Sequence, residues 1–138
     1  MRDPDTQAWL EAFLARHDAV AGTVHVERDN DLWLVADRNL PPPVLAKVGH
    51  VSRGKGMAGL AQVRREPVQT CNLQTDDTGT LNPTARLVQA QAAIALPVLT
   101  ADGSLKAVVG AAFEGERELA DALVRQLMSE AQDVPDAG

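Results

Sequence analysis

Ala93-Ile94-Ala95-Leu96-Pro97-Val98-Leu99-Thr100, then Ala101-Asp102-Gly103-Ser104, then Leu105-Lys106-Ala107-Val108-Val109-Gly110-Ala111-Ala112-Phe113, reads as two apolar arms about a tight turn. Asp-Gly between two such runs is the preferred composition of a β-hairpin connection. In the second arm Leu105, Ala107, Val109, Ala111 and Phe113 share one face, and Lys106 marks the other. Pro97 has no N–H for a ladder bond, so its position is expected at a sheet edge or a bulge.

A second hairpin is expected upstream. From Gly22 to Glu27 the residues alternate, with Val24 and Val26 on one side and Thr23 and His25 on the other. Leu32 to Ala36 follows, with Leu32, Leu34 and Ala36 opposite Trp33 and Val35, and Asp29-Asn30-Asp31 supplies turn chemistry between the runs. Helices are expected at both ends. Trp9, Leu10, Phe13 and Leu14 fall on one face of a helix over about 5–16, capped by Asp5 or Thr6. Ala120, Leu123, Val124, Leu127 and Ala131 form the apolar stripe of another over about 116–132, and the tail 133–138 is expected to fray.

Between the hairpins lies an excursion. Pro41-Pro42-Pro43 stops the strand and starts a short helix at Val44–Val48. The glycine-rich Gly54–Gly59 turn leads into a second short helix with Met57, Leu60, Ala61 and Val63, followed by a strand over Val68–Cys71. Residues 72–84 carry little periodicity, and loops that long in a compact domain tend to be functional or disordered; Thr84–Gln89 adds a helical turn or two. Two sequence-separated hairpins imply one antiparallel sheet in an α/β (α+β) fold, with terminal helices on one face and the excursion closing a pocket over the other.

The 138 residues predict a single domain, and 45% hydrophobic with 23% charged residues is ordinary for a globular chain. One cysteine, Cys71, excludes an internal disulfide and suits a reducing compartment; with no apolar leader and no run near the ~18 apolar residues of a membrane span, a cytoplasmic location is expected. The net charge of −6 argues against nucleic-acid binding. Arg53, Lys55, Arg64 and Arg65 nevertheless form a basic corner able to hold a small anion, without the interleaved aromatics that stack on bases.

Gly54-Lys55-Gly56-Met57-Ala58-Gly59 matches the spacing of a dinucleotide-binding turn, but the flanking segments do not make the required βαβ unit. Cys71 is the one candidate nucleophile, and no histidine among His17, His25 and His50 is spaced to act as its base. Scattered His and a single Cys give no metal-ligand pattern, so no metal site is expected and no cofactor is assigned. The polar loop is the strongest binding candidate: Asn72, Gln74, Asp76, Thr78 and Thr80 supply donors and acceptors, and Arg86 a bidentate cation. The equal alternative is that Asp76 and Arg86 pair with each other simply to pin the loop.

Three blocks in this order resemble the GAF domain. Ser52-Arg53-Gly54-Lys55-Gly56-Met57-Ala58-Gly59-Leu60-Ala61 with Glu66-Pro67-Val68 looks like the family's glycine-rich turn, short helix and strand; Ala95-Leu96-Pro97-Val98 with Asp102-Gly103 and Ala107-Val108-Val109-Gly110 looks like its closing hairpin; the terminal helices are the third. The resemblance implies a PAS-like antiparallel sheet over a ligand cavity, a sensory or regulatory role, and a homodimer through the terminal helices. With no room for an output domain, the chain would act alone, through a partner or by catalysis. The family's cyclic-nucleotide and bilin signatures are absent. Free methionine-R-sulfoxide reductase, a GAF enzyme of similar size, places cysteines where this chain has Ala58 and Ala85, and Cys71 matches neither position. The expected function is therefore binding of a small polar or anionic ligand, lined by Met57, Leu60, Cys71, Asn72, Gln74, Asp76, Thr78 and Arg86. A Cys71-dependent redox enzyme and a ligand-free dimerisation module are the alternatives.

Overall fold

The computed structural model describes residues 2–74 and 90–136. The elements run α1 (Pro4–Arg16), β1 (Ala21–Arg28), β2 (Asp31–Arg38), α2 (Pro42–Val48), β3 (His50–Val51), α3 (Gly56–Arg64), β4 (Val68–Thr70), β5 (Ala92–Leu99), β6 (Leu105–Phe113) and α4 (Asp121–Ala131). The strands form a single six-stranded sheet in the order β3-β2-β1-β6-β5-β4, each neighbouring pair antiparallel. Both expected hairpins are present. Asp29 and Asn30 take positive φ in the first turn, as a tight hairpin requires, and Gly103 does so in the second.

Pro97 pairs with Val108 of β6, whereas β4 pairs only with Ala93, Ile94 and Ala95. It lies where β5 has one strand neighbour, the place a residue without an N–H is tolerated. The strict alternation expected in β2 does not hold. A bulge sets Val24 opposite Ala36 but His25 opposite Leu34, so Val35 and Ala36 both enter the same core cluster.

One face of the sheet carries α1 and α4. Leu10, Phe13 and Leu14 of α1 and Leu127 and Ala131 of α4 are buried against Val24, Val26, Ile94, Leu96, Val98, Val109 and Phe113. The helix α1 starts at Asp3, whose carboxylate accepts the Thr6 N–H at 3.1 Å, rather than at Asp5 or Thr6. The helix α4 starts later than about 116. The backbone donors of the preceding residues are taken by distant acceptors: Arg117 N–H donates to the Cys71 carbonyl at 3.3 Å and Leu119 N–H to Gln69 Oε1 at 3.3 Å. The tail beyond α4 is docked rather than frayed as far as it is described, because Val134 is buried in the same core and Asp136 lies 3.4 Å from Lys106.

The opposite face carries α2 and α3. Gly59 sits inside α3, not in the turn before it. A Cβ there would lie 2.7 Å from the Gly54 carbonyl carbon, so only glycine lets the 52–56 loop fold back on the helix.

Candidate functional site

Between the sheet and the excursion lies a cavity of about 330 Å³, at the small end of the ~300–1,000 Å³ usual for ligand pockets. Its floor follows from strand alternation. On the face away from α1 and α4 the sheet presents Ala21, Thr23 and His25 from β1, Ala93 and Ala95 from β5, and Val108, Gly110 and Ala112 from β6. The large residues Val24, Val109 and Phe113 go to the other core. Small side chains beneath a pair of helices leave volume unfilled. Leu40, Val44 and Val48 form one wall, and Met57 with Ala58 another; Leu73 also lines the cavity.

Thr23 and Gly110 are directly paired across β1 and β6, where a Cβ on residue 110 would stand 2.6 Å from Thr23 Oγ1. The lack of a side chain at 110 keeps the middle of the floor low.

His25 is the buried polar group of this wall, 2% exposed. Its Nε2 lies 2.8 Å from the Val48 carbonyl, which can only accept, so Nε2 carries the proton. Burial pulls the ring's pKa down to about 4, against the raising effect of the Val48 bond, so the imidazole is neutral at pH 7. Its Nδ1 has no hydrogen-bond partner among the described residues.

The charged groups sit at the mouth. His50 stacks on Trp33 at 4.2 Å between ring centroids and bonds Asp31 at 2.7 Å. That bond, with the Arg53 N–H, holds the Asp31 carboxyl below its ordinary range. Lys47 and Lys55 also line the opening, and neither is in an ion pair with the described residues. Arg53, of the basic corner, pairs with Glu27 at 3.4 Å, and Arg65 donates to the Gly103 carbonyl. No carboxylate is among the lining residues described.

Of the residues singled out from the sequence, Met57 and, from the basic corner, Lys55 line this cavity. Leu60 packs against the neighbouring cluster of Leu32, Ala61 and Val68. Cys71 is exposed just past β4 and is not among the lining residues. Asn72 and Gln74 stitch the chain after β4 in place: Asn72 Nδ2 donates to Glu116 at 2.5 Å, its Oδ1 accepts the Gln74 N–H at 2.9 Å, and Gln74 Nε2 donates to the Ala90 carbonyl at 3.0 Å. Asp76, Thr78, Thr80, Arg86 and the Thr84–Gln89 turn lie outside the described residues. Among the described residues no group of three or more His, Cys, Asp or Glu could hold a metal ion, and no helix is long and apolar enough to cross a membrane.

Sequence reasoning passed over His25, Lys47 and the small-residue floor. The alternation of Thr23 and His25 against Val24 and Val26, and of Ala93 and Ala95 against Ile94 and Leu96, was the available signal.

This curled antiparallel sheet with four helices has the GAF-like fold. Among solved structures it is similar to type II free methionine-R-sulfoxide reductase from Thermoplasma acidophilum, with a TM-score of 0.73 at 16% identity over 91% of this chain and 83% of that one. The free methionine-R-sulfoxide reductase of Neisseria meningitidis, in complex with its substrate, gives 0.73 at 14% over 92% and 71%. The GAF domain of a phosphoenolpyruvate-protein phosphotransferase from Coxiella burnetii gives 0.71 at 15% over 96% and 83%. No family model and no curated protein matches the sequence.

Proposed function

We propose that this protein is a cytoplasmic GAF-type regulatory domain that binds a small molecule in the cavity between the sheet and the helices α2 and α3. The observation that carries this reading is the floor of Ala21, Ala93, Ala95, Gly110 and Ala112, which leaves about 330 Å³ free beside a buried histidine. Well-packed interiors hold few voids larger than a water molecule, so an opening of this size is a feature to be filled. Its mostly apolar lining with a few polar groups at one end is the usual make-up of a ligand site.

The sulfoxide-reductase activity belongs to the neighbours named above. The single cysteine of this chain lies off the cavity lining, which weighs against a thiol acting on a molecule held there. A homodimer through α1 and α4 accompanies the proposal: Trp9 on α1 and Leu123, Val124 and Met128 on α4 are only partly buried. Light scattering decides it, and a monomer at micromolar concentration removes it.

The test of binding is native mass spectrometry of freshly purified protein beside a denatured control and the Ala112→Leu variant. An adduct in the wild type that is absent from both comparisons supports the reading, and its mass narrows the chemistry. An adduct of equal occupancy in Ala112→Leu places the ligand elsewhere. A clean mass, with no thermal shift across a metabolite panel, sinks the proposal.

A further inference from the structure

The charge of the cavity is one-sided, and this is at odds with the chain as a whole. The protein carries a net charge of −6, yet the formal charges among the described lining residues are lysines, Lys47 at the end of α2 and Lys55 just before α3. The third basic group at the mouth, His50, is already matched by Asp31, and Glu27 by Arg53. The two lysines have no such match among the described residues.

The backbone adds to the same sign. The first turn of α3, Gly56, Met57 and Ala58, lines the cavity, and no side chain caps it. The leading N–H groups of a helix have no acceptor within it and carry the positive end of its dipole. Deeper in, the Nδ1 of His25 has no hydrogen-bond partner among the described residues, but it is itself closed off by burial and offers the cavity no open acceptor. The wall is thus incomplete at the mouth, where the lysines and the α3 N–H groups are unanswered donors above a mostly apolar floor. His25 adds no charge of its own at neutral pH.

We infer that the cavity takes a small organic anion: a carboxylate or phosphate monoester head held between Lys47, Lys55 and the first turn of α3, with a short hydrocarbon body over Ala93, Ala95, Gly110 and Ala112. This rests on the small-molecule reading above and names the class of molecule it accepts. A neutral molecule of the same length fills the same floor but leaves the lysines and the α3 N–H groups to water. A cationic one meets them unfavourably.

Titration calorimetry with four eight-carbon probes tests the inference: octanoate, octyl phosphate, 1-octanol and octylammonium, each against wild type and against Lys47→Met/Lys55→Met. At least one anion is expected to bind about tenfold or more tightly than 1-octanol, with octylammonium weakest. The double variant is expected to lower the anion's affinity to that of 1-octanol while leaving 1-octanol unchanged, and added salt should weaken only the anions. The ranking of octanoate against octyl phosphate identifies the head group. Equal binding of 1-octanol and both anions, or anion binding untouched by the lysine substitutions, overturns the anion assignment and leaves the small-molecule reading standing. If none of the four binds while the panel gives an adduct of another class, the anion assignment alone falls. If neither probes nor panel bind, both fall.

Discussion

Gly110 of β6 faces Thr23 of β1 so closely that a Cβ at residue 110 would sit 2.6 Å from Thr23 Oγ1, whereas the Thr23 Cβ would be 3.9 Å away. The hydroxyl, not the backbone, is what excludes a side chain. Gly110→Ala is therefore expected to destabilise the protein by about 1–3 kcal/mol, the cost of overpacking. In Thr23→Ala/Gly110→Ala the clash is gone, so the double variant should be more stable than the sum of the two single effects predicts. Urea unfolding of the four proteins measures this coupling, and additive effects would show that the strand pair adjusts without strain.

The buried His25 sets an acid limit on stability. Its pKa is about 4 in the fold against an ordinary 6.5. Between those values the unfolded chain takes up a proton that the folded one refuses, so stability is complete above pH 6.5 and falls as the pH drops towards 4. The contribution lost is of order 3 kcal/mol. The difference in unfolding free energy between wild type and His25→Leu, followed from pH 7.5 to 4, should shift in the variant's favour by that order. A constant difference would mean that the ring titrates normally.

Asp3 opens α1 by accepting from the Thr6 backbone at 3.1 Å, and the Thr6 hydroxyl, fully buried, donates to the same carboxylate. Asp3→Ala should cost about 1 kcal/mol and Asp3→Asn less, since an amide oxygen still caps. Thermal melts at one pH give the order, and equal losses would assign the effect to charge rather than to the cap.

Cys71 is exposed and off the cavity lining. A small thiol reagent should modify it in the native protein, with the affinity for an anionic probe left within about twofold, and Cys71→Ser should behave alike. Loss of binding, or a methionine-sulfoxide reduction by wild type that Cys71→Ser abolishes, would transfer the function to the thiol.

Much of the fold was legible because its signals are local. The Asp-Gly turn, the alternation of β1 and the three prolines before α2 act within a few residues of themselves. What escaped was set by distant partners. The bulge beside Leu34 and Ala36 arises from pairing with β1, and the late start of α4 follows from the Cys71 carbonyl and the Gln69 side chain taking the Arg117 and Leu119 N–H groups. The candidate site was legible in Met57 and, through the basic corner, in Lys55. Asn72 and Gln74, which drew attention as a polar cluster, spend hydrogen bonds on Glu116 and Ala90.

The sequence by itself determined that the chain forms two hairpins between terminal helices, with an excursion between them. Periodicity and turn chemistry impose that order on any chain that carries them. Only the tertiary structure decided where the cavity lies and what lines it. An alanine at 93 or 112 and a glycine at 110 are small wherever they stand, and they make a floor only when β1, β5 and β6 lie side by side. Likewise His25 is an ordinary imidazole until burial beneath the excursion removes its water. Lys47 and Lys55, separate in sequence, meet at one opening because α2 and α3 cover the same face of the sheet.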